Sequence, residues 1–271
     1  MKLAVTGKLE AGEKAPLVFR GPYETMIPKA AGIGYDAMEL HIHDSSALNR
    51  DALKKLFASN RITLSSIGTG SAYAEEGLSL AGDDADIRAR AVQRMREHIV
   101  TARDYDAVVI VGLIKGMIRD SRSRIDYDRN LKASLDELLP FAAENGVVLV
   151  VEILNRYESD WLNTIDEGLA FLEKYDSEHL KLHIDTYHMN VEESDIGFSI
   201  RKAKGKVGHC HIADSDRWYA GHGHYDFRET VEALRDIGYD RALSVESFMY
   251  PNPEESARRS LETLKQCFRP I

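Results

Sequence analysis

Four short apolar, β-branched runs in the second half of the chain each close on a residue type that binds metals. Glu152 closes VVLVVE, Asp185 closes LKLHID, His211 closes KVGHCH and Glu246 closes ALSVE. Turn- or helix-forming residues follow each run. Three carboxylates and one imidazole, one per successive strand, converge only if the strands are parallel neighbours. A (β/α)8 barrel meets that condition, because its active site gathers side chains from the C-terminal ends of several strands. A lone acid at a strand end can equally cap the next helix or form an ion pair. Four ligand types at matching positions on consecutive strands point instead to a shared cation, since acids buried together without neutralising charge are costly. Mostly hard oxygen with one nitrogen suits Mn2+, Co2+ or Mg2+ better than a structural zinc.

The rest of the chain agrees with this architecture. Strand-like runs begin at Leu3, Ala37, Ile62, Ala107, Val147, Leu180, Val207 and Ala242, with amphipathic helical patterns between them. From Ile87 to Asp104, for example, Val92, Met95, Ile99 and Ala102 recur at helical spacing among charges. Leu131 to Glu144 and Thr164 to Lys174 repeat the pattern, and a last helix is expected from Pro253 to Cys267, with proline at an early position as helix starts allow. The least pronounced helix follows the sixth strand, around Asp195 to Lys204. Eight strands alternating with eight helices imply a closed parallel barrel. The 271 residues match the roughly 250 of one such barrel, and no linker or low-complexity tract interrupts them, so one domain over 1–271 is expected.

Three stretches read as long loops on the catalytic face: Gly68 to Asp84, Ile114 to Asn130 and Ser215 to Phe227. His183 and His209 precede two of the ligand types by two residues and share their faces. They are expected one layer deeper, as barrel filling or support. His41 and His43, after the second strand, either line the pocket or sit in a solvated loop.

A net charge of −9, from 35 basic and 44 acidic residues, argues against nucleic acid or anionic membrane as a partner. The two cysteines, Cys210 in a strand and Cys267 in the last helix, suggest no disulfide framework. With no apolar signal or spanning run near the start, a cytoplasmic location is expected.

The strings VEILNRYE from Val151, HIDTYHMNVEE from His183, HIADSDRWYAGHGHYDF from His211 and the terminal SVE at Glu246 together resemble the xylose-isomerase-like TIM barrels. Within them, they resemble the ketose 3-epimerase (D-tagatose 3-epimerase) group. Ile153 and Ala220 stand where that group often has proline. The resemblance implies that Glu152, Asp185, His211 and Glu246 bind Mn2+ or a similar ion, with Glu152 and Glu246 also the acid/base pair. It implies that His188 and Arg217 bind substrate oxygens beside the reacting carbon, and that Glu158 takes the terminal hydroxyl end. The implied activity is inversion of C3 in a ketohexose or keto-hexonate through a cis-enediolate. An aldose–ketose isomerase on the same scaffold is the alternative. A small sugar or sugar acid would be the partner, and a dimer or tetramer the assembly.

IGTGSAYAEEGLSL and VVIVGLIKG are further similar to a branch that includes 5-keto-L-gluconate epimerase. The basic residues Lys115, Arg119, Arg122 and Arg124 would suit a carboxylate-bearing sugar or a phosphate. They would equally form a solvated loop balanced by Asp120 and Asp126. Endonucleases that share the barrel use more histidine ligands and need a basic surface, so they fit this chain poorly.

Overall fold

A computed structural model describes residues 1–269. Among the described residues nine strands occur in the order β1 (Lys2–Lys8), β2 (Phe19–Arg20), β3 (Ala37–His41), β4 (Thr63–Gly68), β5 (Val108–Val111), β6 (Leu149–Glu152), β7 (Leu180–Asp185), β8 (Val207–Ile212) and β9 (Ala242–Val245). Eight of them form a parallel ring from β1 through β3 to β9, closed by pairing of β9 with β1. The expected barrel is therefore present. The two-residue β2 is an addition to it, pairing with the end of β1 through Gly7–Phe19 and Lys8–Arg20. Among the described residues, no helix is long and apolar enough to cross a membrane.

Strand alternation explains what lies inside and outside the ring. Leu3, Val5, Met38, Leu40, Val109, Val111 and Val151 belong to one large cluster with the apolar faces of the surrounding helices. The alternate residues face the lumen. Ala4, Ala37 and Ala242 form one small cluster there, and Val108, Ile110 and Val150 another. Two residues further along the same faces come Glu39 after Ala37 and Glu152 after Val150. The lumen thus changes from apolar to polar toward the C-terminal strand ends, where barrel active sites form.

The helix expected from Ile87 spans Ala85–Arg103, because Asp84 accepts from the backbone N–H of Asp86 and Ile87 and starts it earlier. Val92, Met95, Ile99 and Ala102 are all buried in it. The last helix runs Pro253–Cys267 as expected, capped by Asn252. The weak pattern after the sixth barrel strand forms two short helices, Thr186–Glu192 and Ile196–Lys202. Two of the expected loops are more ordered than their composition suggests. Gly70–Glu76 is helical. The stretch from Ile114 contains two 3-10 turns, and the helix Arg124–Glu144 takes up its end.

Candidate active site

Glu152, Asp185, His211 and Glu246 leave the ends of four consecutive barrel strands; Glu152, Asp185 and His211 bring ligand atoms within 4.8 Å of one another, and Glu246 reaches the same imidazole nitrogen. His211 Nδ1 lies 3.5 Å from Glu246 Oε2, 3.9 Å from Glu152 Oε1 and 3.9 Å from Asp185 Oδ2. All four side chains are buried. Asp185 divides its work. One oxygen accepts from the N–H of Tyr187 at 2.7 Å and caps the following helix, while the other, Oδ2, has no hydrogen-bond partner. His211 Nδ1 and His188 Nε2 are likewise buried without a partner, and His188 Nε2 stands 3.7 Å from Asp185 Oδ2.

These orphaned atoms facing one another fit a divalent cation. Donors at about 2.0–2.2 Å from an ion stand roughly 3.0–3.6 Å apart, so the 3.5–3.9 Å spacings around His211 Nδ1 need to close by only a few tenths of an ångström. The electrostatics agree. Burial, helped by Glu246 and Asp185, pushes the Glu152 carboxyl up to about 8, and burial raises Asp185 to about 6. Burial works against charge on His211, yet Glu39 and Glu246 raise its pKa well above the ordinary range. The protein's own groups thus meet this negative cluster with protons, which a bound cation would replace.

Arg217 closes the far side. Nη1 donates to Glu158 Oε1 at 2.6 Å and Nη2 to Glu246 Oε2 at 3.4 Å, with the guanidinium over the Tyr187 ring at 4.8 Å. Although burial disfavours the charged form of Glu246, His211 and Arg217 hold its pKa down at about 2. Arg217 sits at φ 63°, a left-handed conformation that non-glycine residues seldom adopt. The loop around it is gathered by Asp214, which accepts from the N–H of Ser215 (2.7 Å), Gly221 (2.8 Å) and Tyr225 (3.1 Å). Glu158 and His188 meet through Asn155, whose amide Nδ2 lies 3.2 Å from Glu158 Oε1 and 2.7 Å from His188 Nδ1.

A cavity of about 310 Å3 opens above this cluster, lined by Glu152, Glu158, His211, Arg217 and Glu246. His41 lines it as well, whereas His43 is half exposed between Glu75 and Glu76, at 3.2 and 3.4 Å. The basic stretch does not supply its wall. Arg122 and Arg124 are exposed and paired with Asp83 and Asp128. Only Lys115 turns inward, fully buried, its Nζ donating to the Gly112 carbonyl at 3.3 Å. The lysines at the cavity are Lys8 and Lys14. Lys8 is ion-paired with Glu75.

Reading the sequence missed two groups. Asn155 was hidden in VEILN, where nothing distinguishes it from a turn residue. Glu39 lies in AMELHI and is wholly buried. It meets His41 Nε2 (2.9 Å), Ser66 Oγ (2.6 Å), His209 Nε2 (2.8 Å) and His211 Nε2 (2.9 Å). An acid inside an apolar strand, with histidine two residues on, was the available signal. His209 lies in this deeper layer, as expected. His183 does too, but makes no hydrogen bond, and its ring packs edge-on against His211 at 4.1 Å.

A family model for the xylose isomerase-like TIM barrel matches residues 27–267. An L-ribulose 3-epimerase from Mesorhizobium japonicum is 35% identical over 224 residues, covering 79% of this chain and 72% of that protein. A D-psicose 3-epimerase from Agrobacterium fabrum is 32% identical, over 84% of this chain and 79% of its own length. The crystal structure of a D-allulose 3-epimerase from Methylomonas sp., in complex with D-allulose, superimposes with a TM-score of 0.82 at 27% identity. It covers 98% of both chains.

Proposed function

The chain belongs to the xylose isomerase-like TIM-barrel family, and from that premise we propose that it is a sugar epimerase inverting C3 of a ketohexose or keto-hexonate. Relatives named as 3-epimerases support the reaction class. The observation that carries the reading is the pair of buried carboxylates, Glu152 and Glu246. They reach one imidazole nitrogen from β6 and β9, three positions apart on the barrel ring.

Inverting a carbon beside a ketone requires removing its proton from one face and returning one to the other. Two carboxylates entering the cavity from separate strands can do this without either moving around the substrate. Their environments push them apart, Glu152 toward the protonated form and Glu246 toward the ionised one, as an acid/base pair needs. Glu152, Asp185, His211 and Glu246 would hold a divalent ion, Mn2+ in our reading. When bound, it would supply positive charge to the substrate's carbonyl and neighbouring hydroxyl oxygens. Arg217 and His188 would orient those oxygens and stabilise the cis-enediolate left by proton removal. Glu158, held by Arg217 and Asn155, would accept from the hydroxyl end.

NMR in D2O tests this. Mn2+-loaded protein is offered ketohexoses and keto-hexonates, and deuterium is expected at C3 together with the new epimer. Exchange at C1 with aldose product would replace epimerisation by aldose–ketose isomerisation. No exchange with any of these sugars would overturn the reading.

A further inference from the structure

We propose that Glu39 is a positioning residue that commits His211 to present Nδ1, and not Nε2, to the bound ion. The inference rests on the ion site proposed above. Glu39 sits on β3, across the lumen from His211, and four hydrogen-bonding groups converge on its carboxylate. They are Ser66 Oγ at 2.6 Å, His209 Nε2 at 2.8 Å, His41 Nε2 at 2.9 Å and His211 Nε2 at 2.9 and 3.0 Å from its two oxygens. An ionised carboxylate only accepts hydrogen bonds. Each imidazole nitrogen that faces it therefore carries the hydrogen. For His211 this puts the proton on Nε2 and aims Nδ1 at Asp185, Glu152 and Glu246, where Nδ1 is the buried atom without a partner.

Ligating histidines commonly donate their other N–H to a carboxylate, which fixes both tautomer and ring orientation. Here the carboxylate does more than anchor one ring. It ties His211, His41 and His209 to a common point, so the imidazole ligand and a histidine of the cavity wall share one support. Glutamine at 39 has nearly the same shape but offers an N–H2 in place of one oxygen. That N–H2 would oppose an imidazole N–H, and relief would require a ring to flip or to move its proton to the other nitrogen.

Titrations of the full-length protein with Mn2+ alone, followed by EPR, compare wild type with Glu39→Gln. The expected result is binding weakened about 10–100-fold in the variant. Equal affinity overturns the role of Glu39 while leaving the ion site standing. No binding by wild type overturns the ion site, and this role with it. A second measurement needs no variant: 15N NMR of Zn2+-loaded wild type. The hydrogen is expected on His211 Nε2 and the ion at Nδ1. The reverse arrangement overturns the proposal even if Glu39→Gln fails to fold.

Discussion

Gly112 leaves the space that the Glu152 carboxylate occupies: a Cβ added at Gly112 would lie 2.6 Å from Glu152 Oε2. Gly112 follows β5, the neighbour of β6 in the ring. The acid can therefore lean over the adjacent strand end only because that strand closes without a side chain. Gly112→Ala is expected to displace the carboxylate, the mobile end of its side chain, and to leave the barrel folded. A displacement of about 1 Å in a reacting group lowers turnover roughly 10²-fold. Steady-state kinetics beside a thermal melt would check it; unchanged kcat would show that the close approach is irrelevant to the reaction.

Glu152→Gln keeps the shape of the side chain and removes its proton chemistry. Turnover is expected to fall by about 10²–10⁴-fold or more, with the circular dichroism spectrum preserved. Deuterium incorporation at C3 should fall in parallel. A near-normal rate would remove Glu152 from the acid/base pair.

Ion binding should strengthen as pH rises. Burial pushes Glu152 up to about 8 in the ion-free protein, so below that pH an incoming cation must displace a proton. Affinity is expected to climb about tenfold per pH unit for each proton released, with a shallower rise above pH 8, where Glu152 has already lost its proton. Calorimetric titration with Mn2+ in buffers of different ionisation enthalpy counts those protons directly. A release of zero at pH 7 would contradict the protonated state assigned to Glu152.

His98 predicts a pH effect on stability away from the cavity. It is fully buried, hydrogen-bonded through Nδ1 to Ser45 Oγ at 2.7 Å, and burial lowers its pKa from 6.5 to about 3. The unfolded chain therefore binds this proton more readily than the native one. The stabilisation is complete above pH 6.5 and is lost as pH falls toward 3, the loss reaching about 2 kcal/mol at pH 5. Denaturant unfolding of wild type and His98→Gln at pH 8 and pH 5 isolates the effect. Wild type should lose about that much relative to the variant, and a pH-independent difference would refute it.

The barrel and the four ligand-bearing strand ends are legible in the order of residues alone. A strand alternates its faces with a period of two, so a ligand type closing an apolar run is legible one strand at a time. Eight such runs separated by helical periodicity admit few arrangements. Glu152, Asp185, His211 and Glu246 could be picked out because each lies next to the feature that reveals it. A local signal also served for the helix over Pro253–Cys267, where proline stands at an early helical position.

Other features emerge only from contacts between residues far apart in the chain. Glu39 acquires its meaning from His209 and His211, 170 and 172 residues away; within AMELHI it reads as an oddity in a core strand. The basic stretch after the fourth barrel strand reads equally as a binding loop or a solvated one; in the fold Arg122 and Arg124 turn to solvent and pair with Asp83 and Asp128, while Lys115 is drawn inside. Side-chain direction there follows from how the 3-10 turns and the helix beginning at Arg124 pack, which composition does not encode. Gly112 belongs to the same class. Its missing side chain matters only because closure of the ring brings Glu152 across from the next strand.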